Sequence, residues 1–329
     1  MARIVVSGRV PAPALAVFDT AGDTWMWDRP DPIPADQQAA VLAAPLADAE
    51  ALLAVFTRVD RALLDAAPHL RVVANVAVGY DNVDVAECTA RGIQVTNTPG
   101  VLTDATADIA FGLLLSVTRR LGEADRRLRS GTPFVWGFET LLGVGLAGRQ
   151  IGLVGMGAIG AAVARRARAF GMTVVYHNRH PIDPAVAAEL DTRLVTLDEL
   201  LATSHVVSLH CPYTPETHHL IDATALARMQ PGGFLINTAR GKVVDEEALV
   251  SALRDGTLAG AGLDVFEFEP DVHPGLLELD NVALAPHIGS ATVETRTAMA
   301  VLAARNAAAV LAGEPALTPV NTPAGSLPA

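Results

Sequence analysis

Short, mostly apolar runs recur at 4–6, 52–56, 72–78 and 93–96, interrupted only by Asn75, Gln94 and Thr96. Runs of this length read as strands buried on both faces, the habit of parallel sheets. Between them, stretches at 36–43, 61–66 and 83–91 carry helical patterning, so the first part of the chain predicts strand–helix alternation. Residues 19–34, with Pro30, Pro32 and Pro34, predict a long loop. Thr98-Pro99-Gly100 breaks the pattern, and Thr103 or Asp104 beyond it can cap one long helix running toward Arg129. A loop at 131–145, containing Trp136, is expected next.

A second series starts at Arg149. Strands are predicted at 151–154, Thr173–His177, 205–210, Gly233–Asn237, 260–265 and 282–285, with helices such as 161–170 and Glu246–Arg254 between them. The Ala-rich stretch 292–312 predicts a final helix, and the tail after Gly313 an extended segment. The chain reads as α/β.

Composition narrows the functional classes. A chain of 329 residues suits two domains, or one large one. The formal net charge of −12 argues against a nucleic-acid partner, which requires a basic surface. The single lysine, Lys242, leaves little room for Schiff-base chemistry. Cys88 and Cys211 form no CxxC pair, so neither a disulfide framework nor a metal site is expected. The longest apolar stretch, 109–117, is too short to span a bilayer, and the first residues lack the pattern of a signal peptide. The expectation is a cytoplasmic protein with no membrane partner.

The first chemistry-bearing motif lies between a predicted strand and a predicted helix: Gly155-Met156-Gly157-Ala158-Ile159-Gly160. Its glycines suit a tight turn, an approach of bare backbone to a pyrophosphate, and close helix–strand packing. The helix start supplies N–H groups and partial positive charge. In a NAD-preferring site the following strand, Thr173–His177, would end in an acid that binds the ribose hydroxyls. Here Asn178-Arg179-His180 follows it. An arginine without a carboxylate suits a 2′-phosphate, so NADP(H) is the preferred cofactor and NAD(H) a possible one. The plainer alternative is that Arg179 is simply a solvated surface residue.

Three polar residues follow the ends of predicted strands, where ligands bind in open α/β sheets. They are Arg240, Glu269 and His287. Singly, each could be an ordinary loop residue. Together they match the needs of 2-keto acid reduction. A guanidinium holds the carboxylate and polarises the carbonyl, an imidazole donates a proton, and a carboxylate orients and charges the imidazole.

The motifs VGYDNVD at 78–84, LTDATAD at 102–108, GMGAIG at 155–160, HCP at 210–212, NTARG at 237–241, LDVFEFEP at 263–270 and PHIGS at 286–290 appear in one order. On these the chain resembles the D-isomer-specific 2-hydroxyacid dehydrogenase family, most of all its glyoxylate/hydroxypyruvate reductase branch. The resemblance implies two doubly wound parallel-sheet domains. A flavodoxin-like substrate domain would comprise 1–99 and 290–329, and a Rossmann cofactor domain 100–289, in a homodimer joined through the cofactor domains. It implies Arg240, Glu269 and His287 as the catalytic set, with Arg240 and His287 also binding substrate beside the backbone N–H groups of Val78 and Gly79. Implied cofactor contacts are Thr106, Gly155, Met156, Gly157, Ala158, Ile159, Gly160, Asn178, Arg179, His180, Cys211, Pro212, Thr217, Thr238, Ala239, Arg240, Asp264, His287 and Gly289. Asp264 is expected near the nicotinamide amide. Cys211 is expected to be a small apolar neighbour of the cofactor, and Thr106 has first-turn stabilisation as its alternative role. Trp136 falls where reductases of this branch send a loop toward the neighbouring subunit, with interface packing as the alternative. Phosphite dehydrogenases of the family carry a lysine in the substrate loop where this chain has Ala77, which disfavours phosphite. The expected partner is therefore a small 2-keto or 2-hydroxy acid of glyoxylate or hydroxypyruvate size. A bulkier acid such as 2-ketogluconate is one alternative, and a non-catalytic, corepressor-like dinucleotide sensor the other.

Overall fold

The computed structural model describes residues 2–131 and 133–323. They divide into two compact units, Met1–Leu102 with Ala291–Ala329, and Thr103–Ser290.

The first unit is built on five parallel strands: β1 (Ala2–Val6), β2 (Gly22–Met26), β3 (Ala51–Ala54), β4 (Val72–Asn75) and β5 (Gln94–Thr96). Their spatial order is β2-β1-β3-β4-β5, the flavodoxin-like arrangement, with its topological switch between β1 and β3. Alternate residues face opposite layers. Ile4, Val6, Leu53 and Val72 pack on Ala300, Ala303, Ala304 and Ala307 of helix Val293–Leu311. Val5, Leu52 and Val73 pack on Leu42, Leu46, Leu63, Leu64 and Cys88 from the opposite layer. Burial on both faces explains why the inner strands read as continuous apolar runs. The tail returns along β5, pairing Thr96 with Pro319 antiparallel, and Asn321 accepts the N–H of Val95 at 2.7 Å. The expected extended tail is described as far as residue 323, and the rest lies outside the described residues.

The second unit carries seven parallel strands: β6 (Gln150–Val154), β7 (Thr173–His177), β8 (Thr192–Leu194), β9 (Val206–Leu209), β10 (Gly233–Asn237), β11 (Leu258–Leu263) and β12 (Val282–Leu284). The order β12-β11-β10-β9-β6-β7-β8 is the doubly wound dinucleotide-binding topology, extended by one strand. One face packs Ile151, Leu153, Phe234 and Ile236 on helices Thr103–Thr118 and Ala158–Ala169. The other packs Val154, Val207, Leu209 and Leu235 on Leu200, Leu226, Leu249 and Leu253.

Two expectations of local structure fail. Residues 19–34 are not all loop, because β2 runs through Gly22–Met26. As an edge strand with only β1 as neighbour it stays partly exposed, so it lacks an apolar run. The long helix toward Arg129 is two helices, Thr103–Thr118 and Leu121–Arg129. The Thr118 hydroxyl bonds back to the Leu114 carbonyl at 2.7 Å, and Val144 N–H takes up the Thr118 carbonyl at 2.8 Å. Arg120 then turns left-handed at φ 55° and ends the run. Beyond the second helix, Phe134, Val135, Trp136 and Phe138 stand exposed. Among the described residues no helix is long and apolar enough to cross a membrane, and no group of three or more His, Cys, Asp or Glu side chains could hold a metal ion.

Candidate active site

The glycine motif lies where β6 meets helix Ala158–Ala169, beside the point at which the strand order reverses. Its three glycines meet three different environments. At Gly155 (φ 97°) a Cβ would sit 2.5 Å from the Cys211 nitrogen, because the chain leaving β9 crosses there. At Gly160 a Cβ would strike the Gly155 carbonyl oxygen, so helix and strand could not close together. Gly157 faces open space. It also precedes a helix that has no side-chain cap, so the first-turn N–H groups of Ala158 and Ile159 are not taken up by a side chain. An uncapped helix start beside an open glycine fits a pyrophosphate. Thr238 Oγ1, just after β10, adds a buried polar atom with no hydrogen-bond partner among the described residues.

Asn178 does not point away into solvent. Its Oδ1 accepts the Met156 N–H at 2.7 Å, holding the glycine turn in shape. Arg179 and His180 are exposed. The positive charge of Arg179 acts on Glu216, whose pKa is lowered first by hydrogen bonds from Thr214 and its own backbone. Thr217 is turned inward on its loop, donating to Pro212 O and accepting the Thr214 N–H, both at 2.8 Å. Burial raises the Cys211 thiol to about 11, so it stays protonated and is no nucleophile at neutral pH.

His210, in the HCP motif, was not singled out as a site residue. Its Nε2 meets Ser208 Oγ at 2.9 Å, while its enclosed Nδ1 has no partner. Burial lowers its pKa to about 4, which keeps it neutral beneath the glycine turn.

At the other end of the sheet three strand ends converge. After β10, Asn237 closes the turn by donating from Nδ2 to Arg240 O at 2.9 Å and accepting the Ala239 N–H at 3.0 Å. Arg240 Nη1 reaches Ala239 O at 2.8 Å. Gly241 presses against the backbone of Phe266 and Glu267, where any side chain would collide. Arg240 is thereby brought beside the Glu269 segment, and its charge is felt there.

After β11, Asp264 is almost fully buried and accepts the N–H groups of Ile288 and Gly289, each at 2.7 Å. Its own carbonyl accepts the His287 N–H at 2.8 Å. Three bonds from one residue hold a loop in which His287 adopts φ 52°, a conformation that costs energy for a residue with a Cβ. Burial raises the Asp264 pKa against the opposing effect of those N–H groups. Thr106 lies close by, since a Cβ on Gly289 would touch both Asp264 and Thr106.

Glu269 closes the arrangement. Its Oε2 lies 2.9 Å from His287 Nδ1, and its Oε1 accepts the Phe266 N–H at 3.0 Å. Burial raises its pKa, but the His287 hydrogen bond and charge, the Phe266 N–H and Arg240 together outweigh burial. The net value lies below the usual carboxylate range, so Glu269 is ionised at neutral pH.

Residues 111–289, more than half of the chain, match the D-isomer specific 2-hydroxyacid dehydrogenase, NAD binding domain, family. The chain belongs to the D-isomer specific 2-hydroxyacid dehydrogenase family. It is 47% identical over 324 residues to a glyoxylate reductase of Thermococcus onnurineus, covering 97% of this chain and 96% of that one. Among solved structures it is similar to the TT0316 protein of Thermus thermophilus, with TM-score 0.89, 46% identity, and coverage of 97% and 100%. It is also similar to an NADPH-dependent glyoxylate/hydroxypyruvate reductase of Sinorhizobium meliloti in complex with NADP and malonate, with TM-score 0.84, 41% identity, and coverage of 97% and 96%. The chain is thus a nicotinamide-dinucleotide-binding enzyme of this dehydrogenase family, and both its sheets have the expected doubly wound form.

In the first unit, Val78 and Gly79 follow β4. Their carbonyls accept from Asn97 Nδ2 and Asn75 Nδ2, each at 2.8 Å. Among the described residues their N–H groups have no hydrogen-bond partner.

Proposed function

We propose that the protein reduces glyoxylate, hydroxypyruvate or a 2-keto acid of similar size to the 2-hydroxy acid, preferring NADPH over NADH. The observation that carries this reading is the His287–Glu269 pair at 2.9 Å, on a loop pinned by Asp264 and beside Arg240. A corepressor-like dinucleotide sensor has no use for an imidazole held in one orientation by a carboxylate. The printed names of the relatives support the substrate class.

In this reading the second unit is the cofactor domain and the first the substrate domain. Gly155 to Gly160 and the N–H groups of Ala158 and Ile159 hold the pyrophosphate, and Thr238 Oγ1 gains a partner on cofactor binding. The dinucleotide, when bound, supplies the hydride. Arg240 pairs with the substrate carboxylate and draws electron density toward the carbonyl oxygen. In the first unit, the N–H groups of Val78 and Gly79 are suited to hold an anion such as a carboxylate. His287, bonded to Glu269 through Nδ1, presents Nε2 to the carbonyl oxygen and delivers the proton as the C2–H bond forms. It leaves the step neutral and regains a proton from solvent. Ionised Glu269 accepts from Nδ1 and so orients the ring with Nε2 toward the substrate.

The NADPH preference rests on Arg179 and on the lack of a carboxylate at the end of β7. The exposed Phe134, Val135, Trp136 and Phe138 support a homodimer, since so many exposed apolar side chains in one segment suit an interface. Steady-state kinetics with glyoxylate, hydroxypyruvate and 2-ketogluconate, each with NADPH and NADH, tests this. We expect the two small acids to show the higher kcat/KM. If 2-ketogluconate outperforms both, the size class is wrong.

A further inference from the structure

Glu267 lies two residues before Glu269, and its side chain is only 11% exposed. Its Oε1 is 2.8 Å from His219 Nε2. Its Oε2 accepts the N–H of Glu246 at 3.4 Å, while its own N–H donates to Glu246 Oε1 at 2.8 Å. The two acids are therefore locked by reciprocal bonds onto the first turn of helix Glu246–Arg254. His219 in turn donates its backbone N–H to the Lys242 carbonyl at 2.9 Å, and Ile221 donates to the Val243 carbonyl at 3.1 Å. The Val243 N–H reaches back to the Arg240 carbonyl at 3.2 Å. A continuous path of bonds thus runs from the Glu269 segment through Glu267, His219 and Lys242 to the Arg240 turn.

We propose that Glu267 is a positioning residue for the reduction: through its bonds to His219 and Glu246, its carboxylate sets Glu269 and Arg240 in register. The proposal rests on the reading of Arg240, Glu269 and His287 given above, and adds a residue to it.

Stability alone does not account for the cluster. Glu246 is almost fully buried, its Oε2 has no partner, and burial raises its pKa against the hydrogen bond from Glu267. His219 is held at φ 49° with its ring stacked on His218 at 4.0 Å. A buried acid beside a second acid and a left-handed histidine all cost free energy that apolar packing would avoid. Strain of this kind persists where geometry is needed. Gly241, pressed on the Phe266–Glu267 backbone, makes the same junction intolerant of any slip.

The test uses Glu267→Gln, His219→Ala and His219→Gln in the full-length enzyme, reading kcat, the KM for each substrate and the unfolding transition. Misplacement by a fraction of an ångström should lower kcat about 10-fold in Glu267→Gln and His219→Ala. The KM for the dinucleotide should stay within about two-fold, because the glycine turn is untouched. His219→Gln, which keeps an N–H donor for Glu267, should recover most of the loss. Normal kcat in both Glu267→Gln and His219→Ala would overturn the proposal. So would losses that merely follow the folded fraction, with His219→Gln no better than His219→Ala. If Glu267→Gln does not fold, the two His219 variants decide by the same criteria. His287→Ala, run in parallel, separates the layers: if it stays active the catalytic reading fails, and if it is inactive while Glu267→Gln and His219→Ala are both normal, only the positioning role fails.

Discussion

The two ends of the seven-stranded sheet's ligand edge are built differently. At the Arg240–Glu269–His287 end, each side chain sits on backbone held by buried groups: Asn237 closes one turn, Asp264 pins the His287 loop, and Gly241 admits no side chain. At the Asn178–His180 end, Asn178 is tied inward while Arg179 and His180 stand in solvent. Proton transfer and carbonyl polarisation, the roles proposed for these groups, depend steeply on direction, and fixed backbone suits them. Recognition of a phosphate charge, the role proposed for Arg179, depends mainly on sign and distance and needs no such fixing. Between the two ends, beneath the glycine turn, His210 is enclosed, and burial keeps its imidazole neutral.

The comparison is broken most directly at the rigid end. His287→Ala should lower kcat/KM about 1,000-fold while leaving dinucleotide binding intact. Retention of activity, or an equal loss of dinucleotide affinity, would show that the two ends are not separable.

His210 tests the burial beneath the glycine turn. Its folded-state pKa of about 4 lies below the ordinary histidine value of 6.5, so the unfolded chain binds the extra proton between those limits. The folded state is therefore favoured above about pH 6.5 and loses stability as pH falls toward 4. The loss attributable to this group is about 3 kcal/mol. Denaturant unfolding of wild type and His210→Gln across that window should show a flatter pH slope in the variant. Parallel slopes would mean that the imidazole is solvated.

The smallest effect belongs to the exposed end. Arg179→Ala should raise the KM for NADPH about 10-fold at low salt and leave NADH nearly unchanged, with the difference shrinking as salt is added. Unchanged discrimination would place phosphate recognition on another residue.

Much of this was legible from the chain alone, because inner parallel strands are buried on both faces and write themselves as apolar runs. The elements that escaped are those whose reasons are tertiary. β2 is an edge strand with a mixed surface, and nothing local announces its pairing with β1. The break after Thr118 depends on Val144, distant in sequence, taking a carbonyl from the helix. Asp264 was placed near the cofactor by resemblance, but its three bonds to the His287 loop needed coordinates. Glu267 stood in a quoted motif, yet its contacts reach back to His219 and Glu246, which no spacing rule connects.

Residue types and their order determined the alternation of elements, the glycine turn, and an arginine, a glutamate and a histidine each following a strand, since these depend on local propensity and periodicity. Tertiary structure decided which strand ends adjoin, which N–H groups Asp264 satisfies, and that Glu267 bonds to both His219 and Glu246. Those outcomes follow from long-range hydrogen bonding and close packing, for which the linear chain carries no distance.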